Sequence, residues 1–308
     1  MSGYTLGIDI GGTKTAAAII GPGTAPTKPD VIGYTEVPTP ARDGAEAVIA
    51  AAADVARTAI AASPYPPDRC GIGTAGTVDP AGVVTHATDA LPGWLGIDLT
   101  ARFTAALGIP VTVLNDVHAM GLGEARHGAA AGDRLTLIVS IGTGIGGALV
   151  HEGRVITGAS GSAGVLGHLT VAAPWRRRCG CGRWNHLEAY ASGPAIETRY
   201  AELAGSPARL PEIGARARAG DQVASTVITT AADLLGSALV QVVTVVDPDS
   251  VVLTGGVARL GDLLGTPVAT IISTQALPGP DRTRLRYSTL GAHATLLGAA
   301  DAARTARA

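Results

Sequence analysis

DIGGTK, at residues 9–14, is a glycine-rich stretch near the start of this chain. Short apolar runs precede and follow it, at residues 4–10 and 14–20, so it predicts a β-hairpin with a glycine turn. Glycines let backbone amides approach a phosphate closely, and the flanking hydroxyl, ammonium and carboxylate suit a phosphate with its magnesium ion. The predicted contacts are Gly11, Gly12, Thr13, Lys14 and, for magnesium, Asp9. Taken alone, the pair of glycines is equally typical of an ordinary hairpin turn.

The same pattern returns in the second half of the chain as SIGTGIGG, residues 140–147. Two hairpins with glycine and threonine turns, one opening each half, predict a duplicated α/β fold with two facing phosphate cradles. No GxxxxGK[ST] loop and no GxGxxG fingerprint at a strand–helix junction is present, which disfavours the two usual nucleotide-binding folds. A further close-approach turn at residues 254–256 is of the kind that admits a nucleoside. The predicted contacts of these two turns are Gly142, Thr143, Gly144, Gly255 and Gly256.

Asn115 and Asp116 lie where a buried strand, predicted at residues 111–114, breaks into a helix. A carboxylate at the carboxyl edge of a sheet is well placed to deprotonate an alcohol as the alcohol attacks a γ-phosphate. The alternative is a helix cap, because Asn and Asp favour such positions. The phosphate cradles on both halves favour the catalytic base.

The segment GHLTVAAPWRRRCGCGRWNHLE, residues 167–188, holds chemistry that composition does not explain. Two of the chain's three cysteines lie two residues apart in it, with a histidine on either side. Two thiolates and two imidazoles are a set that zinc binds in tetrahedral geometry, although the spacing is not that of a zinc finger. The predicted ligands are His168, Cys179, Cys181 and His186. The segment ends at Glu188, which a loop clamped by metal would position.

Length and composition exclude several classes of protein. With 308 residues, 46% of them hydrophobic, the chain is long enough for two domains or one large duplicated unit. No apolar run reaches the roughly 18 residues that span a bilayer, and the N-terminus lacks a signal-peptide pattern, so we expect a cytoplasmic protein with no membrane partner. A net charge of -2 argues against a general polyanion binder.

Six motifs, in order along nearly the whole chain, together resemble the ROK family of repressors, open reading frames and kinases. They are DIGGTK at 9–14, GTAGTVD at 73–79, LND at 114–116, GTGIGG at 142–147, GH at 167–168 and the CxC loop that ends at Glu188. The resemblance implies an actin-like ATPase (ribonuclease H-like) fold, with two α/β domains around a deep cleft. It also implies ATP-dependent phosphorylation of a hexose, typically glucose at its 6-hydroxyl.

The resemblance implies roles for individual residues. Asp116 would be the catalytic base, and the acceptor would be bound by Gly76, Asn115, Asp116, His168 and Glu188. His168, Cys179 and Cys181 match the family's zinc ligands. The implied cofactors are Mg²⁺ with ATP and a structural Zn²⁺, and the implied partners are ATP and a small polyhydroxylated acceptor.

Two positions depart from the family pattern. His186 stands where the family usually has a third zinc-binding cysteine, and a neutral imidazole can replace a thiolate on zinc. Val165 stands where a glutamate normally binds the sugar. Valine accepts no hydrogen bond, so a buried hydroxyl at that place would lose roughly 1 to 3 kcal/mol. Either glucose affinity is poor, or the acceptor lacks or repositions that hydroxyl, as a carbocyclic sugar analogue (a cyclitol) would.

Other functions and the domain division are also expectations. A non-catalytic sugar-sensing regulator would not need Asp116 or Lys14, and an ATPase of the same fold without a sugar site would not need Glu188. The chain begins almost directly at DIGGTK, so we expect no DNA-binding extension and no nucleic-acid partner. We predict a small α/β domain at residues 1–115, completed by a C-terminal helix at about 290–308, and a large α/β domain at 116–289. The large domain would carry the zinc loop and the helices of a homodimer.

Overall fold

The computed structural model describes residues 3–25, 27–87 and 91–306. The strands are β1 (Thr5–Ile10), β2 (Lys14–Ile20), β3 (Val31–Pro38), β4 (Cys70–Thr74), β5 (Thr77–Val78), β6 (Val84–His86), β7 (Val111–Asn115), β8 (Leu135–Ile141), β9 (Ile145–His151), β10 (Arg154–Ile156), β11 (Ser250–Thr254) and β12 (Arg284–Tyr287). The helices are α1 (Ala45–Ala61), α2 (Leu99–Leu107), α3 (Asp116–His127), α4 (Glu188–Ala191), α5 (Gly193–Ala204), α6 (Leu210–Arg218), α7 (Gln222–Val246), α8 (Asp262–Gln275) and α9 (Ala294–Thr305). Short 3₁₀ helices lie at Ala41–Asp43, Leu166–His168, Val257–Leu260, Pro280–Arg282 and Gly291–His293.

The first sheet has the strand order β3-β2-β1-β4-β7. β1 and β2 pair antiparallel, which confirms the hairpin that DIGGTK predicts. β1, β4 and β7 run parallel, with Ile10 beside Thr74 and Thr74 beside Asn115. The loops that follow these three strands therefore start at the same edge of the sheet, where open α/β sheets bind ligands.

The second sheet repeats this arrangement with the order β10-β9-β8-β11-β12. If the five strands of each sheet are numbered along the chain, their spatial order is the same in both sheets: 3-2-1-4-5. β8, β11 and β12 run parallel, as the first, fourth and fifth strands do in the first sheet. The repeated topology confirms the duplicated α/β fold that the two glycine turns predict.

Local sequence signals set the limits of the helices. Asp98 caps α2 by accepting a hydrogen bond from the amide of Ala101, and α2 ends at Gly108, which has φ 69°. Asp221 caps α7 in the same way through the amide of Ala224. Asp therefore marks the start of both helices, and a residue with positive φ ends each of them, Gly108 for α2 and Asp247 for α7.

The C-terminal helix α9 packs against the first sheet and against α3 through glycines. A Cβ on Gly71 of β4 would lie 1.8 Å from the carbonyl oxygen of Ala299 on α9. A Cβ on Gly298 of α9 would lie 1.7 Å from the carbonyl oxygen of Ala119 on α3. No side chain fits at either position, so glycine is what allows α9 to pack closely against β4 and α3.

One helix within the described residues, α7, is long and apolar enough to cross a membrane. Just over half of its most apolar window, 56%, is buried inside the protein. Core helices of soluble proteins pass the same test, so α7 is weak support for a membrane segment.

By its internal contacts the chain divides into two compact units. The first contains Met1–Gly132, Leu149–Ala163 and Thr289–Ala308, and the second contains Asp133–Ala148 and Gly164–Ser288. The domain division at residue 115 stays a prediction.

Candidate active site

Three loops meet at the carboxyl edge of the first sheet. β1 is followed by the glycine turn at 11–13, β4 by Ala75 and Gly76, and β7 by Asp116 at the start of α3. The parallel register sets the ends of these strands side by side. The amide Nδ2 of Asn115 donates to the carbonyl oxygen of Gly76 at 2.9 Å and ties two of the loops together. The structure thus brings Gly76, Asn115 and Asp116 into one group.

Asn115 and Asp116 have different tasks at the start of α3. Oδ1 of Asn115 accepts the amides of Val117 and His118, at 2.9 and 3.1 Å, so Asn115 is the helix cap. Oδ1 of Asp116 accepts from Asn115 Nδ2 and from the Val117 amide, both at 2.9 Å. The capping alternative therefore describes Asn115, whereas the hydrogen bonds to Asp116 fix the orientation of its carboxylate.

Two carboxyl groups at this edge have raised pKa values. Burial raises the pKa of Asp116 to about 6, against the opposing effect of its hydrogen bonds from Val117 and Asn115. Burial and the negative charge of Asp116 raise the pKa of Asp9 to about 7, while Lys14 lowers it. At neutral pH, neighbouring groups balance the negative charge of these buried carboxylates only in part. A bound cation or a proton would therefore stabilise this edge.

The first glycine turn is held by a threonine that the sequence interpretation missed. Thr39 Oγ1 donates to the carbonyl oxygen of Gly11 at 2.7 Å, and the Thr39 amide donates to that of Thr13 at 3.0 Å. Inside the turn, the Gly11 amide donates to the carbonyl oxygen of Lys14 at 3.0 Å. Thr39 directly follows β3, whose last residue, Pro38, pairs with Lys14, so only the strand register could have identified it.

Lys14 contacts a carboxylate of the neighbouring strand. Its Nζ lies 3.2 Å from Glu36 Oε2, with 43% and 48% of the two side chains exposed. An exposed pair of this kind contributes little to stability, so an anion at the turn competes easily for the ammonium group.

The second glycine turn lies at the carboxyl edge of the second sheet. β8 and β11 are parallel neighbours with Ser140 beside Thr254, so the turns that follow them are adjacent. Gly255 has φ +88° and no room for a Cβ, which would lie 2.4 Å from the carbonyl oxygen of Ile141. Among the described residues, no atom beyond the chain neighbours lies within 4 Å of a Cβ placed on Gly142 or Gly256, so their surfaces are open to a ligand. The structure brings together the predicted contacts Gly142, Thr143, Gly144, Gly255 and Gly256.

The four predicted metal ligands form one cluster. The candidate ligand atoms of His168, Cys179, Cys181 and His186 all lie within 4.8 Å of one another. The Nδ1 atoms of the two histidines are 3.2 Å apart, and His186 Nδ1 is 3.2 Å from Cys181 Sγ. Cys179 Sγ is 3.8 Å from His168 Nδ1. Ligand atoms around a tetrahedral zinc are roughly 3.3 to 3.8 Å apart, so these three separations are close to those the ion requires, and the donor types are those it binds.

Backbone pairing folds the loop that carries the cluster. The Cys179 amide donates to Arg183 at 2.8 Å, and the Gly182 amide donates back to Cys179 at 2.9 Å. Gly182 and Asn185 have positive φ, 85° and 60°, and turn the chain so that the cysteines face the histidines. Burial, together with the charges of His168 and Arg183, lowers the pKa of His186, which favours the neutral imidazole that binds metal.

Glu188 follows the cluster and contacts the second glycine turn. Its Oε2 accepts the amide of Ile145 at 2.9 Å, and its Oε1 lies 3.8 Å from Cys179 Sγ. Val165 lies just before the 3₁₀ helix that carries His168, and 40% of its surface is exposed. An apolar, accessible side chain therefore stands three residues before His168, where the resemblance implies a carboxylate.

Comparisons with known proteins agree with this arrangement. The sequence profile of the ROK family matches residues 5–306. Glucokinase from Halalkalibacterium halodurans is 30% identical, over 96% of this chain and 93% of its own length. N-acetylmannosamine kinase from Escherichia coli is 34% identical, over 82% of this chain and 83% of its own length.

Solved structures resemble the chain over almost its whole length. The ROK hexokinase from Thermus thermophilus matches with a TM-score of 0.83 and 34% identity, covering 98% of both chains. A ROK family glucokinase from Streptomyces griseus, in complex with glucose and AMPPNP, matches with a TM-score of 0.80 and 30% identity, covering 99% of this chain and 100% of the other. The predicted actin-like ATPase fold is confirmed. The chain belongs to the ROK family.

Proposed function

We propose that this chain is an ATP-dependent kinase that phosphorylates the primary hydroxyl of a hexose or a hexose-like acceptor. The placement of Asp116 carries this proposal. Its carboxylate is oriented by Asn115 and by a helix amide, and it lies at the sheet edge where the first phosphate turn also ends. The names of the relatives, glucokinase and N-acetylmannosamine kinase, support the same reaction class.

In this mechanism Asp116 accepts the proton of the acceptor hydroxyl as the oxygen attacks the γ-phosphorus of ATP. A base works best when its pKa is close to the working pH, and a pKa of about 6 leaves the Asp116 carboxylate mostly ionised at pH 7. Asn115 keeps one carboxylate oxygen occupied. Proton transfer then uses the other oxygen, Oδ2.

The donor would be held by glycine turns and by a metal ion. The turns at 11–13 and 142–144 would bind the phosphates through amides other than those of Gly11 and Gly142, which donate within the turns, and Gly255 and Gly256 would leave space for the nucleoside. Asp9 would hold the magnesium ion of the nucleotide, because a cation relieves the uncompensated burial that raises its pKa to about 7. Magnesium, when bound, neutralises charge on the transferred phosphoryl group.

A zinc ion would have a structural role. We assign it to His168, Cys179, Cys181 and His186, because their donor atoms all lie within 4.8 Å of one another and are of the types that zinc binds. The ion would hold His168 and the approach to Glu188 in place, and both side chains would contact acceptor hydroxyls.

Val165 bears on which acceptor the protein phosphorylates. Its exposed apolar side chain supports an acceptor that lacks or repositions one hydroxyl, such as a cyclitol, over glucose. The activity would be cytoplasmic and the protein a homodimer.

The test is ADP release by the purified protein against a panel of acceptors: glucose, mannose, N-acetylmannosamine and several cyclitols. We expect turnover with at least one of them and none with the corresponding 6-deoxy sugar. Binding of a sugar without ADP release from any acceptor would instead support the alternative of a non-catalytic sugar-sensing regulator.

Val165→Glu tests the specificity argument. If the acceptor lacks the hydroxyl, the new carboxylate should raise kcat/KM for glucose about tenfold and lower it for the native acceptor. The control is Ile156→Glu, which places the same carboxylate at an apolar residue that is 43% exposed. Unchanged kcat/KM for glucose in Val165→Glu would remove Val165 from the specificity argument.

A further inference from the structure

Glu188 lies between the Cys/His cluster and the second phosphate turn, residues 142–144. Its Oε2 accepts the amide of Ile145, which directly follows the turn, at 2.9 Å. Its Oε1 is 3.8 Å from Cys179 Sγ. One carboxylate therefore contacts both a metal-ligand residue and the backbone of the turn.

The turn is attached to the segment after Glu188 at a second point. Within the turn, the Gly142 amide donates to the carbonyl oxygen of Gly144 at 2.8 Å. The carbonyl oxygen of Gly142 in turn accepts the amide of Gly193, at the start of α5, at 2.9 Å. Since Glu188 and Gly193 belong to one short segment, that segment holds the turn from both ends.

Gly144 shows how closely the carboxylate approaches. Its backbone is not in the left-handed region, so its conformation does not require glycine. A Cβ there would instead lie 2.5 Å from Glu188 Oε2. Because that oxygen is the end of a flexible side chain, an alanine would displace the carboxylate and leave the backbone free to stay. Glycine at this position is thus explained by the hydrogen bond from Ile145 to Glu188.

We propose that Glu188 is a positioning residue for the donor phosphates, besides the acceptor contact that the family resemblance implies. The inference rests on the proposed kinase function. Amides bind phosphate oxygens well only when they are already oriented, and the Glu188 carboxylate orients the chain at Ile145. Nucleotide affinity should therefore depend on Glu188 even when no acceptor is present.

The experiment is calorimetric titration of ADP with magnesium, without acceptor, into the full chain. We expect Glu188→Ala to weaken ADP binding about fivefold, and Glu188→Gln, whose amide oxygen still accepts from Ile145, to stay within about twofold of the wild type. Glu197→Ala is the matched control, because Glu197 also accepts a backbone amide, that of Leu210 at 2.8 Å, and ADP affinity should not change.

Gly144→Ala gives an independent arm that leaves the glutamate in the sequence. It should weaken ADP binding in the same direction as Glu188→Ala, and the double variant should be little weaker than either single one. Thermal unfolding of each variant identifies any that fails to fold, and the remaining arm then decides.

Unchanged ADP affinity in Glu188→Ala, with a raised KM for the acceptor alone, would confine Glu188 to the acceptor and overturn the inference. Equal weakening in Glu188→Gln and Glu188→Ala would also overturn it, because the hydrogen bond would not be the cause. A wild type that binds ADP but phosphorylates no acceptor would overturn the proposed function and not this inference.

Discussion

The two glycine turns occupy matching places in the two sheets, but the carboxylates beside them are held differently. The first, at 11–13, lies beside Asp9 and Asp116, whose pKa values are raised to about 7 and about 6 mainly by burial. The second, at 142–144, lies beside Glu188, whose carboxylate accepts the amide of Ile145. Both follow the first strand of a sheet with the same strand order.

From this difference we expect the duplicated halves to have different tasks. Partly compensated carboxylates hold charge ready for a proton or a cation, so the first edge suits chemistry. A carboxylate that already accepts a backbone hydrogen bond, next to the Cys/His cluster, suits positioning. We expect the carboxyl edge of the first sheet (the first edge) to carry the reaction and that of the second sheet (the second edge) to position the groups that take part.

The largest effect should follow from Asp116→Asn. The amide keeps the shape of the side chain but accepts no proton, so kcat/KM should fall by about 10³-fold while ADP affinity changes little. Asp98→Asn, which changes a helix-capping carboxylate elsewhere in the first unit, should keep kcat/KM within about twofold. The measurement is initial-rate kinetics of ADP release, and full activity in Asp116→Asn would remove the proposed base.

Removal of one predicted metal ligand beside the second edge should weaken zinc binding. The wild type should contain one zinc per chain by elemental analysis, and His186→Ala should bind zinc about ten- to a hundredfold more weakly. His151→Ala, at a histidine whose side chain is 42% exposed and outside the cluster, should retain the metal. If His186→Ala kept full zinc content after dialysis against a chelator, His186 would leave the ligand set.

The pH dependence of kcat/KM should report the first edge. With the Asp116 pKa at about 6, the carboxylate becomes protonated as the pH falls through that value and no longer accepts the acceptor's proton. At pH 5, kcat/KM should be about tenfold below its plateau above pH 7. A rate profile that stays flat down to pH 5 would mean that no group with this pKa acts as base.

The sequence predicts the elements of the two edges well because local signals define them. Glycine turns after apolar runs identify β1, β2, β8 and β9, and Asp221 with the long periodic run identifies α7. The CxC pair with flanking histidines identifies the cluster, because few other arrangements need those side chains together. The roles of the site residues stay predictions.

What the sequence does not predict depends on contacts distant along the chain. Thr39 holds the first turn only because β3 pairs with β2 in one register, and the chain around Thr39 carries no motif. Likewise, the reason for glycine at 144 is a carboxylate 44 residues away. Single-sequence patterns do not encode such pairs, which require the folded topology.

The smallest effect, and the one most specific to the first edge, should be on stability. Asp9 has a pKa raised to about 7 by burial and by the charge of Asp116, whereas an unfolded chain has an Asp pKa of about 3.9. Between these values the folded chain binds a proton that the unfolded chain does not. The free energy of unfolding therefore falls as the pH rises through this window, and the loss is complete above about pH 7.

Asp9→Asn removes that charge without changing the shape of the side chain. At pH 8 it should raise the free energy of unfolding by about 1 kcal/mol, or Tm by about 2 to 4 °C, and the difference should shrink as the pH falls and vanish only below about pH 3.9, where Asp9 is protonated in the folded and the unfolded wild type alike. The same substitution at Asp133, which is paired with Arg284 and Arg286 and bonded to Ser250, should lower stability at pH 8. Urea denaturation at both pH values measures this, and a less stable Asp9→Asn at pH 8 would contradict the uncompensated charge. The stabilised variant should also lose most of its kinase activity, because the charge that weakens the apoprotein is the one assigned to the magnesium ion of ATP.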